Sequence, residues 1–237
     1  MSKEPQLVVV TGASRGVGRA SVVALMRDHG CSVIGVSRDK EGLTGLSEAC
    51  SGYSGRFSPL ALDITLPNAA EELKKAIGGR RLHALVHNAG ALRNKPIGQY
   101  SRTDLMEVFG ANVLAPLELS QALLEELEGD PPGHIVHIGS MGGFQDSMKF
   151  AGLAAYSASK AALACLAQCL AEELKDRGIR SNCLALGAVD TEMLRTAFPG
   201  YRSNVSSDAM GAYVARFALE GHKLFNGKVL PVASTTP

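Results

Sequence analysis

The sequence predicts an α/β fold in which helices cover both faces of a doubly wound parallel sheet. Three observations carry this expectation. Apolar runs of strand length alternate with helical patterns along the 237 residues, and repeated β-α-β order builds a parallel sheet with right-handed crossovers. Most of the runs are aliphatic on both faces, as strands buried under two helical layers must be. A glycine-rich turn also joins the first run to the first helical pattern. No Pro/Ser linker, repeat or low-complexity tract divides the chain, so one domain is expected over residues 1–237.

The elements follow in order. QLVVVT (6–11) is a buried strand, and a helix over 17–29 ends at Gly30, where a helix-ending glycine is expected. SVIGVS (32–37) precedes a helix over 40–49, and FSPLAL (57–62) precedes one over 67–77. LHALVH (82–87) leads to a long helical pattern over 101–128. Asn112 interrupts that pattern between two apolar stretches. Asn favours caps over helix interiors, so a functional kink is expected there. HIVHIG (134–139) is the fifth strand, and the helix over 153–177 ends at Gly178. IRSNCLAL (179–186), a helix over 206–220 and KVLPV (228–232) complete the alternation. The 153–177 segment is apolar on nearly every face before EELKDRG, whereas a surface helix shows one stripe. A subunit interface is expected there, with LELSQALLEELE (117–128) as its partner; close packing through alanines is the alternative.

Hydrophobic residues make up 46% and aromatics 5%, with no Trp, so aliphatic and small residues must build the core. A net charge of +1 argues against nucleic acid as a partner. No apolar stretch reaches membrane-spanning length, and MSKEPQLVVV lacks a signal-peptide pattern, so the expected location is cytoplasmic. The cysteines, at 31, 50, 165, 169 and 183, form no CxxC pair and read as reduced, buried thiols. Cys165 and Cys169 share a helix face, read as core packing rather than metal binding. His134 and His137 should point to opposite faces of a strand, and no metal site is expected.

The turn Thr11-Gly-Ala-Ser-Arg-Gly-Val-Gly18 has the spacing G-x3-G-x-G after a strand and before a helix. Gly12 permits the sharp turn, Gly16 lets a pyrophosphate approach, and Gly18 lets the helix pack closely. Free N–H groups at the helix start then face the anion. Thr11, Ser14, Arg15 and Val17 complete this dinucleotide-binding turn. The second strand ends VSRD, with Ser37 where NAD binders usually place an acid. Arg38 follows, and Arg15 can reach the same region; two guanidinium groups suit a 2′-phosphate. NADP(H) is therefore preferred over NAD(H). Asp39 is the complication, since a slightly different turn would place it on a 2′-hydroxyl.

TGASRGVG, LD (62–63), NAG (88–90), Asn112, Ser140 and YSASK (156–160) occur in the order found in classical short-chain dehydrogenases/reductases (SDRs). The resemblance spans nearly the whole chain. It implies a Rossmann-type seven-stranded parallel sheet and a homodimer or homotetramer. It also implies roles. Leu62 and Asp63 would meet the adenine, and Asn88, Ala89 and Gly90 would line the cofactor. Asn112 would hold a water in a proton relay, and Ser140 would orient the substrate carbonyl. Tyr156 would donate the proton, while Lys160 would bind the nicotinamide ribose and assist Tyr156. Gly187, Val189 and Thr191 would border the nicotinamide, with Thr191 on its carboxamide.

The chemistry is consistent with the residue types. Hydride addition to a ketone creates an alkoxide that needs a proton. Tyr titrates near ~10, and a nearby ammonium and an oxidised nicotinamide would both lower that value. A serine hydroxyl can hydrogen-bond the carbonyl oxygen as charge develops. The expected activity is NADPH-dependent reduction of a small-molecule ketone or aldehyde, with alcohol oxidation as the reverse. The alternatives are an NAD-dependent alcohol dehydrogenase and a non-catalytic dinucleotide-binding regulatory protein.

The chain departs from the family pattern at His87, in place of Asn, and at Leu186, in place of Pro. The segment between Ser140 and Tyr156 is longer than usual, and VLPVASTTP lacks the usual Asp-Gly-Gly. The substrate pocket should draw on this longer segment and on 192–206, with Met141, Phe144, Met148, Phe150, Met193, Phe198 and Tyr201 as wall residues. Arg195 and Arg202 read as solvated charges, with an acidic substrate as the alternative.

Overall fold

Strands that are aliphatic on both faces need a neighbour on each edge and a helical layer above and below. A computed structural model, which describes residues 4–233, meets both needs. Its strands are β1 (Leu7–Thr11), β2 (Ser32–Ser37), β3 (Phe57–Ala61), β4 (Ala84–His87), β5 (Gly133–Ser140), β6 (Ile179–Leu186) and β7 (Val229–Val232). They form one parallel sheet in the order β3-β2-β1-β4-β5-β6-β7. Period-two alternation splits β1 between two cores. Val8 and Val10 pack with α1 (Gly16–His29), α2 (Lys40–Cys50) and α9 (Ser207–Glu220). Leu7 and Val9 pack with α3 (Ala69–Ile77), α5 (Ala115–Ala122) and α7 (Ala154–Glu173).

The two edge strands depart from the expected burial. β3 and β7 are half-exposed or exposed along their length, and each contains a proline, Pro59 and Pro231. Proline cannot donate to a ladder, so it belongs on an edge. The expected helix over 101–128 is also broken. It consists of α4 (Arg102–Phe109), a π-turn over Gly110–Leu114, α5 and the short α6 (Leu124–Leu127). The N–H of Ala115 donates to the carbonyl of Gly110, five residues back. Pro116 follows and has no N–H to offer the carbonyl of Asn112, so a regular α-turn would lose that bond. The kink expected at Asn112 is present, and Pro116 is the local signal for it.

Gly30 and Gly178 end their helices with φ of 63° and 64°. His134 and His137 point to opposite faces, as expected. His134 meets Phe217 of α9, with ring centroids 5.4 Å apart. His137 stacks on His87 at 5.1 Å, and His87 Nε2 pairs with Ser120 Oγ of α5 at 2.9 Å. Burial drives both rings neutral: His87 is pushed down to about 3, and His137 lies well below its ordinary value.

The thiols require a correction. Cys31, Cys50 and Cys183 are buried, but Cys165 and Cys169 are exposed. They lie on an outward stripe of α7 with Ala154, Ala158, Ala161, Gln168 and Glu172. A helix that is apolar all round gives no pattern from which to tell its outward face. No helix of the described residues is long and apolar enough to cross a membrane.

Candidate active site

The strand order reverses direction at β1 and β4, and ligands bind outside the carboxyl ends of strands at such a switch point. A cleft of about 970 Å³ opens there. Its first wall is the glycine-rich turn. Gly12 adopts φ +67°, and a Cβ on it would lie 2.8 Å from the Cα of Ala89. A Cβ on Gly18 would lie 2.2 Å from the carbonyl oxygen of Gly12. Asn88 holds the turn, its Nδ2 donating to the carbonyls of Thr11 and Gly12 at 3.0 and 3.1 Å.

Most of the sequence-predicted cofactor residues line this cleft: Gly12, Ser14, Arg15, Gly16, Val17, Ser37, Arg38, Leu62, Asp63, Asn88, Ala89, Gly90, Tyr156, Lys160, Gly187, Val189 and Thr191. Thr11 and Gly18 stand behind it. The Thr11 hydroxyl accepts from the N–H groups of Asn88 and Ala89 and donates to the carbonyl of Val86. It is therefore spent on joining β1 to the end of β4.

At the end of the cleft expected to take the adenosine, Ser37 Oγ donates to Ser14 Oγ at 2.9 Å. Arg38 pairs with Asp63 at 3.5 Å across the cleft. Burial works to raise the Asp63 carboxyl, but hydrogen bonds from Thr65 and the charge of Arg38 outweigh it and hold the group low. Asp39 is committed to capping α2, where its Oδ1 accepts from the N–H of Gly42 at 2.9 Å.

The groups expected to react meet at the cleft floor. Tyr156 and Lys160 lie one turn apart on α7 and line the cleft with Ser140 from the end of β5. Lys160 Nζ donates to the carbonyl of Ile138 at 2.7 Å and lies 5.8 Å from the centroid of the Tyr156 ring. Burial lowers its ammonium to about 8. Burial also raises the Tyr156 phenol, and a hydrogen bond with Ser140 pulls the other way. The expectation that Lys160 depresses Tyr156 is not met by the chain alone. The ammonium sits against the ring and the Ile138 carbonyl, and desolvation of tyrosinate dominates.

Asn112 lies behind the wall and is fully buried. Its Nδ2 donates to the carbonyl of Ala91 and to Ser159 Oγ, both at 2.9 Å, while its Oδ1 accepts from the N–H of Ala91 at 2.8 Å. The side chain thus spends both donors on the segment after β4 and on α7. A Cβ on Gly90 would lie 3.0 Å from Asn112 Oδ1 and 3.5 Å from Lys160 Nζ. Ser159, which sequence reasoning missed, also donates to the carbonyl of Tyr156 at 2.7 Å. Its position within YSASK was the available signal.

The substrate side is partly as expected. Met141, Phe150, Met193 and Phe198 line the cleft. Phe144, Met148 and Tyr201 do not. Ser147 bonds back to the carbonyls of Met141 and Phe144 and curls that segment, and Met148 and Tyr201 are exposed. Leu92, Thr103, Met106, Glu107 and Leu153 were missed; Thr103, Met106 and Glu107 share one face of α4. Arg195 pairs with Asp190 at 2.6 Å rather than facing the cleft. Leu186 is buried and pairs with Val232 across β6 and β7. Of VLPVASTTP, residues 234–237 lie outside the described residues.

A dinucleotide fits these residues: Gly12 and Gly18 have no room for a Cβ, Gly16 adopts a positive φ of 55°, and the cleft runs from Arg38 to Tyr156. The family described as "short chain dehydrogenase" matches residues 6–202. The chain is 38% identical to the protein FixR of Bradyrhizobium diazoefficiens, over 81% of this chain and 69% of that one. It is 32% identical to the 3-oxoacyl-(acyl-carrier-protein) reductase FabG of Vibrio cholerae, over 82% and 78%. Among solved structures, a Pseudomonas aeruginosa RhlG/NADP active-site complex superposes with a TM-score of 0.83 at 27% identity, covering 96% of this chain and 94% of that one. The switch-point cleft, its ordered motifs and these likenesses agree that the chain belongs to the short-chain dehydrogenases/reductases, oxidoreductases that act on CH–OH or C=O groups with a nicotinamide dinucleotide.

Proposed function

We propose that this protein is an NADPH-dependent carbonyl reductase acting in the cytoplasm on an uncharged, largely apolar ketone or aldehyde. The observation that carries the reading is the convergence of Tyr156, Ser140 and Lys160 on one cleft floor beside the glycine cradle. When bound, the nicotinamide supplies the hydride. Tyr156 is the proton donor: a phenol is protonated at neutral pH, and the hydrogen bond with Ser140 works against the burial that raises it. Ser140 offers a hydroxyl to the carbonyl oxygen. Lys160 holds the ribose and recharges Tyr156, and Asn112 positions the segments that carry them.

The preference for a 2′-phosphate is supported by Arg38 and Arg15 on the cleft, by Ser37 in the acid position, and by Asp39 being engaged as a helix cap. The RhlG structure is a complex with NADP, and FabG is named for the reduction of a 3-oxoacyl group. The apolar substrate is supported by Leu92, Met141, Phe150, Leu153 and Phe198 on the wall. The only cleft carboxylate on α4, Glu107, is paired with Arg93. A second copy of the chain is the proposed cover for the outward stripe of α7, beside exposed Leu114 and Leu117; light scattering reads its presence.

The test is oxidation of NADPH and of NADH against a panel of ketones, aldehydes and quinones, with wild type and Tyr156→Phe. NADPH should give the higher kcat/KM, and the variant should lose about 100- to 10,000-fold in turnover. A variant equal to wild type refutes the proton-transfer role. Tight NADPH binding without turnover on any substrate would favour a regulatory protein, and preference for NADH would favour an alcohol dehydrogenase.

A further inference from the structure

The helix α8 (Glu192–Ala197) roofs the cleft beside the glycine-rich turn, and its two ends are held differently. The far end is tied twice to the substrate side. Asn94 Nδ2 donates to the carbonyl of Ala197 at 2.8 Å, and Phe198 packs edge-on against Phe150, with centroids 5.5 Å apart. The near end reaches across to the glycine-rich turn. There Arg15 Nη1 binds Glu192 Oε2 at 2.7 Å, between residues 177 apart in sequence. Just below this bond, a Cβ on Gly16 would lie 3.4 Å from Cγ2 of Thr191. The turn and the start of α8 therefore close over the route that a dinucleotide's phosphates must follow.

Arg15 is also one of the two guanidinium groups suited to a cofactor phosphate. The other, Arg38, holds a carboxylate too, that of Asp63. Of these two pairs, the Arg15 pair is the one that joins the glycine-rich turn to α8. Both its partners are well exposed, at 72% and 64%. An exposed pair of this kind is weak and easily exchanged. A phosphate dianion competes well for a guanidinium, because it offers more charge and bidentate geometry.

We propose that Glu192 is a stand-in for a cofactor phosphate on Arg15, an exchangeable latch that holds α8 over the cleft until a dinucleotide displaces it. Displacement frees the near end of α8 while Asn94 and Phe150 retain the far end. Thr191, adjacent to Glu192, then moves with the freed end toward its place beside the nicotinamide. Glu192 is therefore a positioning residue that tunes cofactor affinity. The inference rests on the dinucleotide-binding part of the proposed function.

The test uses full-length wild type and Glu192→Gln. Calorimetry measures binding of NADP+, NAD+, adenosine 2′,5′-bisphosphate and ADP, and hydrogen exchange follows the amides of α8 without ligand. Glu192→Gln should bind NADP+ about two- to fivefold more tightly, the range an exposed ion pair commands. The α8 amides should exchange faster in the variant, and high salt should narrow the affinity difference. Tightening confined to NADP+ and the bisphosphate assigns the exchange to the 2′-phosphate. Tightening of NADP+, NAD+ and ADP but not of the bisphosphate, which lacks a pyrophosphate, assigns it to the pyrophosphate. Wild type and variant that bind NADP+ equally well overturn the latch and leave the cofactor reading intact. A wild type that binds neither dinucleotide overturns both.

Discussion

Replacing Lys160 by Met measures what the fold spends on a buried amine. Lys160 is 4% exposed, and burial lowers its ammonium from 10.5 to about 8. The folded value lies below the unfolded one, which sets the sign. Below about pH 8 both states are protonated, and the cost of burying the ammonium is present in full. Above it the folded chain sheds the proton while the unfolded chain keeps it. The unfolded state then binds more protons, so stability rises with pH. Each pH unit within that window is worth about 1.4 kcal/mol. Between about pH 8 and 9.5, wild type should therefore gain about 2 kcal/mol relative to Lys160→Met. Urea denaturation of both proteins without cofactor, at intervals from about pH 7 to 9.5, reads this directly. Taking the difference cancels the tyrosines and cysteines that titrate in both. Below about pH 8 the difference should be flat. A difference that stays flat across the whole range, or a wild type that loses ground, refutes the buried-ammonium argument.

Two further substitutions probe the frame around the site. Asn112→Ala removes three hydrogen bonds from a fully buried position and should cost about 3 kcal/mol in urea denaturation, since each stranded group costs about 1–3 kcal/mol; a loss too small to measure would mean that water replaces the side chain. Gly18→Ala places a Cβ 2.2 Å from a backbone oxygen, so it should destabilise the fold by an overpacking cost of about 1–3 kcal/mol, read as a lower Tm, and weaken NADPH binding. Unchanged melting and affinity would show that α1 can retreat from the turn.

Much of the site was legible because its requirements are local. The glycine cradle is a demand on φ and on close approach, and it is written in eight consecutive residues. Tyr156 and Lys160 lie on one helix, so spacing alone places them together. Asn112 announced a kink by being a poor helix-interior residue, and Pro116 four residues on makes the kink necessary. The pocket wall was less legible. Phe150 and Phe144 look alike in sequence, but only the first faces the cleft, because Ser147 curls the intervening segment. The pair Cys165 and Cys169 was misread for a related reason. Their helix carries apolar residues on every side, and only its neighbours decide which side is outward.

Local sequence was enough for the parallel sheet, its crossovers, the cradle and the spacing of Tyr156 and Lys160. Each follows from periodicity or backbone conformation over a few residues, where steric rules leave little choice. Which polar side chains meet was a matter for the packed molecule. Arg15 finds Glu192, Arg38 finds Asp63, and His87 stacks on His137 across two strands. These contacts join segments whose separation in space depends on how whole layers pack. No local pattern encodes that distance. Packing also sets the electrostatics of the site. Burial, which no short stretch of sequence reports, raises the phenol of Tyr156 and lowers the ammonium of Lys160.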